Sequence, residues 1–529
     1  GAETATEGAA RQAWRQSMRL WREGERRRRS KAAAYALALR AAERFQEFER
    51  LYLPHSFDFR GRLYAAPRLN PQGADPVRAL LEFAEGKPLG EEGWKWLAIH
   101  LANCGDFEKI SKAPLADRVR WVFKHEERIR AVAADPRADL FWTEADKPWQ
   151  FLAACFEWAD YVELLEATGE AEANRRFRSR LPVALDGTCS GLQHFSLMLR
   201  DEGAAAAVNL TPAENPEDLY GRVAERLRAR LEGDAARPET EVITIGAHTH
   251  PIGDMARAWL AFGVDRALVK RPTMTFGYGA RTFSYAEQIL ADTLIPRREA
   301  LGTDAMLGGE AGEAGEGADA AAAWPFPVDD PVTPAVFLAS RVAEAIESVV
   351  VKAAEAANWL QALADHATAH GAPLIWTTPD GFRVAQAYRR RGARLVHARF
   401  AGRALRLTLR EEGTALDGRR QRQGVAPNVI HALDACHLRM TLRRAAAEGI
   451  DAFALVHDSF GVHAVDTPRF FQIIREAMVA LYRSGDVADG VLRDIRAGLP
   501  PHARAGVPAP PSPGAFDVEE VLGAEYAFA

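Results

Sequence analysis

Phe453-Ala454-Leu455-Val456-His457-Asp458-Ser459-Phe460-Gly461-Val462-His463-Ala464-Val465 reads as two short apolar strands around a tight polar turn, a hairpin with a carboxylate at its tip. The same setting occurs 272 positions earlier (458 − 186): Leu181-Pro182-Val183-Ala184-Leu185 is a short apolar strand that ends at Asp186, and Ser190 to Leu199 resumes helical spacing. Strands that each end on an aspartate can bring both carboxylates to one sheet edge, where they repel unless divalent cations neutralise them. Mg²⁺ is the expected ion. Two such ions about 3.5–4 Å apart can activate an attacking hydroxyl and steady a leaving phosphate oxygen. Taken singly, an aspartate after a strand is usually no more than a turn or cap residue.

A third stretch changes that weighing. Arg266, Lys270, Met274 and Tyr278 follow one another at i, i+4 spacing and so share one broad face of a helix. That face offers two cations for a triphosphate and a ring for a base or sugar. Arginine suits a forked contact to phosphate oxygens, and lysine supplies a compact charge and a transferable proton. By itself the pattern also fits a solvated basic helix with a core tyrosine. Pro272 lies inside this helix, where a lost backbone hydrogen bond is expected to kink the axis between Lys270 and Tyr278.

Charge along the chain points to a polyanion. The 67 Lys and Arg against 72 Asp and Glu leave a net charge of −5, yet the charges fall in blocks. Arg11 to Lys31 holds nine bases and two acids with Trp14 and Trp21 interleaved; residues 389–422 hold eleven arginines against Glu411, Glu412 and Asp417; Thr303 to Asp330 holds seven acids and no base. Phosphate neutralisation is local, so a near-neutral total does not exclude nucleic acid. The arginines of 389–422 alternate with Leu395, Val396, Phe400, Leu405 and Leu407 in a hairpin-like pattern.

The remaining organisation is that of a large globular chain. With 529 residues, 48% of them apolar, it has enough apolar material for several subdomains, and no apolar run is long enough to span a bilayer. No charged segment followed by an apolar one opens the chain, which disfavours secretion. Cys104, Cys155, Cys189 and Cys436 stand far apart without a C-x-x-C pair, so neither disulfides nor zinc are expected and a reducing compartment fits. Residues 11–52 read as helix, Asn70-Pro71-Gln72-Gly73 as a turn, and 302–330 as a low-complexity, flexible surface insertion. Thr333-Pro334 reads as the start of a long helix, broken on its way to Gly371.

The ordered set Asp58-x-x-Gly61-Arg62, Asp186-Gly187-Thr188-Cys189-Ser190-Gly191-Leu192-Gln193-His194, Arg266/Lys270/Tyr278-Gly279 and His457-Asp458-Ser459 closely resembles the phage-type single-subunit DNA-dependent RNA polymerases, which include the mitochondrial enzymes. The resemblance extends over nearly the whole chain, through Thr378-Pro379-Asp380-Gly381-Phe382 to the terminal Tyr526-Ala527-Phe528-Ala529.

It implies a predominantly helical α/β fold of right-hand polymerase type, with palm and fingers, the thumb largely missing, and a small antiparallel palm sheet. Residues 1–48 would be a helical remnant of the thumb or N-terminal region, 49–202 the first part of the palm, and 432–529 its second part with a C-terminal foot. Residues 203–431 would form the fingers, with the nucleotide-binding helix 266–279, the insertion 302–330 and a specificity hairpin 383–408. Asp186 and Asp458 would hold two Mg²⁺, with the Gly187 carbonyl a further ligand. Lys270 would be the general acid, Arg266 a second phosphate contact, and Tyr278 with Gly279 the wall beside the incoming ribose. Tyr220 is similar to an aromatic position near the nucleotide pocket, and His457 would orient the 3′ end. Arg62 and His431 match positions on the template and hybrid. His397, Arg399, Arg403 and Arg406 of the hairpin would reach base edges in the promoter major groove, arginine favouring guanine O6 and N7.

The implied reaction is transcription by a monomer, with DNA template, promoter duplex, RNA product and NTPs as partners and no membrane. The implied compartment is the cytoplasm of a phage-infected or prophage-bearing bacterium, with the mitochondrial matrix as the other setting. Family A DNA polymerases share the Arg/Lys/Tyr helix and the His-Asp turn, but carry one glutamate five residues after the first aspartate and another directly after His-Asp. Gly191 and Ser459 stand at those positions here and favour ribonucleotides, with Met274 where those enzymes commonly have an aromatic ring. Only 57 residues precede Asp58 and the chain opens on Gly1, so a catalytic core without the promoter-melting region is expected. A DNA polymerase and an inactive nucleic-acid-binding fragment remain the alternatives.

Overall fold

The computed structural model describes residues 5–298, 301 and 324–528. The expected acidic insertion therefore lies, as far as residue 323, outside the described residues. The elements that position the candidate site are, in chain order, α1 (Ala5–Phe45), α2 (Gly93–Gly105), α3 (Pro148–Thr168), β1 (Val183–Asp186), α4 (Ser190–Met198), α5 (Leu219–Ala235), α6 (Arg266–Phe276), α7 (Val332–Val349), α8 (Val351–Ala369), β2 (Arg389–Phe400), β3 (Arg403–Leu416), α9 (Gly418–Ala447), β4 (Ala454–Val456) and β5 (Ser459–Val462). Helix predominates, and the sheets are small. No helix among the described residues is long and apolar enough to cross a membrane.

The chain divides into two units, the first made of Gly1–Ser56, Leu63–Leu185 and Ile450–Phe470. Here α1, rich in strong helix formers, runs to Phe45 and stops short of the expected residue 52. Asp75 caps α3 from a distance, accepting the Trp149 and Gln150 N–H groups at 2.8 and 3.1 Å, and Gly169 ends the helix. Leu97, Ala98 and Leu101 of α2 and Phe151 and Trp158 of α3 are buried in the core. His100 of α2 lies under the sheet, where its Nδ1 accepts the Ala184 N–H at 3.3 Å. Burial lowers its pKa to about 3, with Lys147 and Arg78 adding to the effect, so it stays the neutral acceptor that strand β1 needs.

The sheet itself has the order β4-β5-β1. Val456 pairs with Ser459, leaving His457 and Asp458 as a two-residue turn, as the hairpin reading expected. A methyl group added at Gly461 would lie 3.3 Å from Pro182 Cβ, so β1 starts beside β5. All four cysteines are buried and free.

The second unit comprises Phe57–Arg62, Asp186–Gly449 and Phe471–Ala529. The long helix after residue 330 is broken at Val350 into α7 and α8. It starts at Val332, earlier than the Thr333-Pro334 signal implied, because Asp330 takes the Val332 and Thr333 N–H groups at 3.0 and 2.9 Å. The basic region expected as one hairpin over 383–408 is two: Leu374–Thr377 pairs with Arg383–Gln386, and β2 pairs with β3. The β2–β3 tip, Ala401-Gly402, has positive φ at both residues, which matches the right-handed twist of its long strands.

Two buried histidines make this unit acid-sensitive. His194 of α4 bonds through Nδ1 to the Tyr482 hydroxyl at 2.7 Å, and His437 of α9 donates from Nε2 to the Ile474 carbonyl at 2.8 Å. Burial brings His437 down to about 4 against the pull of that carbonyl; burial, then the charges of His437 and Arg62, puts His194 well below its usual value. Folded values below the unfolded value of about 6.5 mean that the unfolded chain takes up the extra protons. Their contribution is thus whole above about pH 6.5 and is lost on acidification towards pH 4, at up to about 1.4 kcal/mol per pH unit for each ring. Urea unfolding across this window is expected to lose stability as the pH falls, with buried His100 adding to the loss, and His437→Gln to make the loss shallower; a flat profile would contradict the assignment.

Candidate active site

The loop Phe57–Arg62 is built by its own aspartate. Asp58 Oδ1 accepts the backbone N–H groups of Arg60 and Arg62 at 2.9 and 3.1 Å, and Gly61 turns the chain with φ +84°. The loop thereby aims two guanidinium groups at α9. Arg60 is held by Asp58 Oδ2 through Nε at 2.9 Å and Nη2 at 2.6 Å, and its Nη1 reaches His431 Nδ1 at 2.7 Å. Arg62 forms a fork with Asp434 one turn along α9, Nε to Oδ1 at 3.1 Å and Nη2 to Oδ2, with side chains 12% and 3% exposed. Arg62 is thus committed to a buried ion pair. Arg439 completes the attachment, bonding the Gly61 carbonyl at 2.8 Å and Asp380 at 2.5 and 2.8 Å.

Helix α6 divides as its spacing predicts. Leu268, Val269, Pro272, Thr273 and Phe276 are buried, while Lys270 and Met274 are exposed and Arg266 half-buried. The helix continues through Pro272 but ends at Phe276, so the expected helix to 279 is too long. Tyr278 and Gly279 occupy a turn in which their N–H groups bond to the Thr275 and Phe276 carbonyls at 3.1 and 3.0 Å. Gly279 is required there twice over: its φ is +83°, and a Cβ would stand 3.2 Å from the Gln423 carbonyl and from Pro427 Cδ of α9. This turn lays the Tyr278 ring on His431, centroids 4.7 Å apart and planes 29° from parallel. Gly191, in the first turn of α4, also borders the ring: a Cβ there would lie 3.3 Å from Tyr278 Cε1 and Cζ. Tyr278 therefore packs against both an imidazole and a bare backbone.

Arg266 starts α6, its Nε bonded to both Asp218 oxygens at 3.0 and 2.9 Å and its guanidinium 4.9 Å from the centroid of Tyr220. Asp218 in turn caps α5. Tyr220 is buried, and burial raises its pKa, so it is a neutral packing surface for the arginine. The segment after Asp186 is tied to the chain's last residues: Gly187 pairs with Phe528, the Thr188 N–H donates to the Ala527 carbonyl at 3.2 Å, and Thr188 Oγ1 to Tyr526 O at 2.7 Å. That register uses the Thr188 N–H and leaves the Gly187 carbonyl outside the ladder. Gln193 Nε2 adds a bond to Ala527 O at 3.0 Å.

In the first unit, His457 adopts φ +55° at the β4–β5 turn, with its ring 4.9 Å from that of Tyr64. The β2–β3 register sorts the four hairpin candidates. His397 opposes Arg406 and Arg399 opposes Ala404, so His397, Arg399 and Arg406 share one face, whereas Arg403 opposes Phe400 on the other. All four are exposed. Among the described residues, no cluster of three or more His, Cys, Asp or Glu could hold a metal ion. Asp186 closes β1 and Asp458 is the second residue of the β4–β5 turn; a carboxylate suits Mg²⁺, an ion that keeps waters and substrate phosphates among its ligands.

Sequence reading had passed over Arg60, Asp434 and Arg439. Arg60 stood inside a quoted motif without a role; Asp434 and Arg439 gave no signal, because their partners are distant in sequence.

A helix bearing two cations, a tyrosine in the turn after it and a carboxylate-tipped hairpin belong together in one protein class: residues 87–505 match the DNA-dependent RNA polymerase family, and the chain belongs to it. It is 36% identical to the DNA-directed RNA polymerase of Enterobacteria phage T3 over 96% of its own length and 56% of the relative's. The T7 RNA polymerase of Escherichia phage T7 is 34% identical over 98% of this chain and 58% of its own. DNA-directed RNA polymerase 2B, chloroplastic/mitochondrial, of Nicotiana tabacum is 34% identical over 98% and 46%. The chain spans about half the length of the curated relatives it matches.

Proposed function

We propose that this chain synthesises RNA on a DNA template: the RNA 3′ oxygen attacks the α-phosphorus of an NTP, the bond to the β-phosphate oxygen breaks, and pyrophosphate leaves. The observation that carries this reading is Tyr278 packed against Gly191 and His431 directly after a helix face that carries half-buried Arg266 and exposed Lys270. Arg266 and Lys270 bind the triphosphate, and Lys270 Nζ gives a proton to the departing pyrophosphate. Tyr278 and Gly279 form the wall beside the ribose, with Tyr220 behind Arg266. His457 orients the 3′ end, while Arg62 and His431 support the template and hybrid. Asp186 and Asp458, with the Gly187 carbonyl, would hold two Mg²⁺, which when bound stabilise charge on the attacking and leaving oxygens.

In this reading 49–202 and 432–529 are palm and foot, 203–431 are fingers, and 1–48 are a thumb remnant. The β2–β3 hairpin offers His397, Arg399 and Arg406 to promoter bases from one face and Arg403 from the other. The enzyme acts as a monomer in the cytoplasm of a phage-infected or prophage-bearing bacterium.

The test is extension of a preassembled RNA–DNA scaffold with NTPs or dNTPs offered separately. NTP incorporation is expected; exclusive dNTP use would make the chain a DNA polymerase, and salt-sensitive binding without turnover would make it a binding fragment. Tyr278→Phe is expected to lower the preference for rNTP over dNTP in kcat/KM by about 10- to 100-fold, the worth of one hydrogen bond in a closed site. An unchanged ratio would remove Tyr278 from sugar selection.

A further inference from the structure

We infer that Arg60 is a positioning residue for sugar selection, acting on Tyr278 through His431; this rests on the proposed role of Tyr278. A guanidinium has donors only, so in the 2.7 Å contact between Arg60 Nη1 and His431 Nδ1 the ring nitrogen is the acceptor. An imidazolium has no lone pair to offer there. Arg60 thus selects the neutral ring with its proton on Nε2, and it fixes the edge from which the ring is held.

The arginine cannot turn to another partner at little cost, because Asp58 grips Nε and Nη2 and leaves Nη1 directed at the histidine. Asp58 is itself locked by the two backbone N–H groups it accepts. Arg60 and Asp58 side chains are only 19% and 20% exposed, so the clamp is shielded from much of the solvent. His431 carries the restraint onward by its stack with Tyr278, and Gly191 also borders that ring without a side chain. Removing the Arg60 contact removes the donor that holds Nδ1 and so weakens the restraint on ring angle and tautomer. Tyr278 then loses the fixed orientation of the ring it stacks on.

The experiment uses the full chain on the preassembled scaffold. Arg60→Met, which keeps length and removes every N–H, is expected to lower the rNTP/dNTP ratio of kcat/KM about tenfold, the worth of one charge-assisted hydrogen bond. Scaffold affinity should stay within about twofold, since counterion release tracks phosphate contacts. Asp58→Asn, which weakens the grip without removing Arg60, is expected to move the ratio in the same direction and serves if Arg60→Met does not fold. In a His431→Ala background, Arg60→Met should have no further effect on the ratio. Equal losses in both backgrounds would show that Arg60 acts on nucleic acid directly and overturn the inference. If Tyr278→Phe relaxes sugar choice while Arg60→Met and Asp58→Asn leave it unchanged, the inference fails and the reading of Tyr278 stands; if none of the three changes it, that reading fails first.

Discussion

Asp458→Asn is expected to cut RNA extension on a preassembled scaffold by about a thousandfold or more, the scale seen when a charge-stabilising group leaves a transfer site, while scaffold binding stays nearly intact. The substitution isolates charge from shape. Asp458 is the second residue of a two-residue turn whose register is fixed by the Val456–Ser459 pair, and asparagine serves such turns as readily as aspartate. The buried strand β5 and the Phe460 core contact are left alone. Asp186→Asn should have an effect of the same order, because Asp186 is proposed as the other Mg²⁺ ligand and the segment after it is held by Thr188 and the last residues of the chain, so the exchange leaves the backbone in place. Raising Mg²⁺ should restore little in either variant if the proposed ligand role holds, since each substitution removes a charged ligand. Unimpaired extension by either variant would refute the assignment.

Much of this site can be read from periodicity, and the parts that cannot have a common cause. The β4–β5 turn is legible because apolar alternation stops at His457-Asp458 and resumes at Phe460, leaving two residues for the turn. The polarity of α6 is legible because Arg266, Lys270 and Met274 fall on one face and Leu268, Val269 and Phe276 on the other. The same spacing overshoots at the helix end. Tyr278 continues the i, i+4 count, but Gly277 and Gly279 end the helix and aim the ring at His431, a contact that no count within α6 contains.

The bounds of the basic hairpin, 389–416 against the expected 383–408, escape the sequence for a different reason. Both faces of β2–β3 are largely exposed, so no buried face imposes a polar–apolar alternation from which strand ends or register can be taken. Arg62 illustrates the third limit. Its motif marked it as important, yet its partner Asp434 lies 372 positions away within a buried helix face, and only the folded loop decides that Arg62 takes Asp434 while Arg60 takes His431.

Lys270→Leu is expected to lower kcat by about 10²- to 10³-fold, within the range of general acid catalysis, with scaffold affinity changed by less than about twofold. The geometry separates Lys270 from its neighbour on the helix. Arg266 lies one turn earlier, about 6 Å along the axis, and is already oriented by Asp218 and the Tyr220 ring, which suits a fixed phosphate fork. Lys270 is exposed on the same face, and a flexible ammonium can follow the pyrophosphate as it departs. Leucine keeps the bulk of the stem on a helix whose opposite face is packed, so the fold should be retained. Lys270→Arg then separates charge from proton transfer: it should recover most of the nucleotide KM lost in Lys270→Leu but little of the kcat, because a guanidinium holds its proton at any working pH. Equal recovery of both parameters would make Lys270 a phosphate contact and remove it from the acid role, and equal losses of catalysis and scaffold binding in Lys270→Leu would place it on the nucleic acid instead.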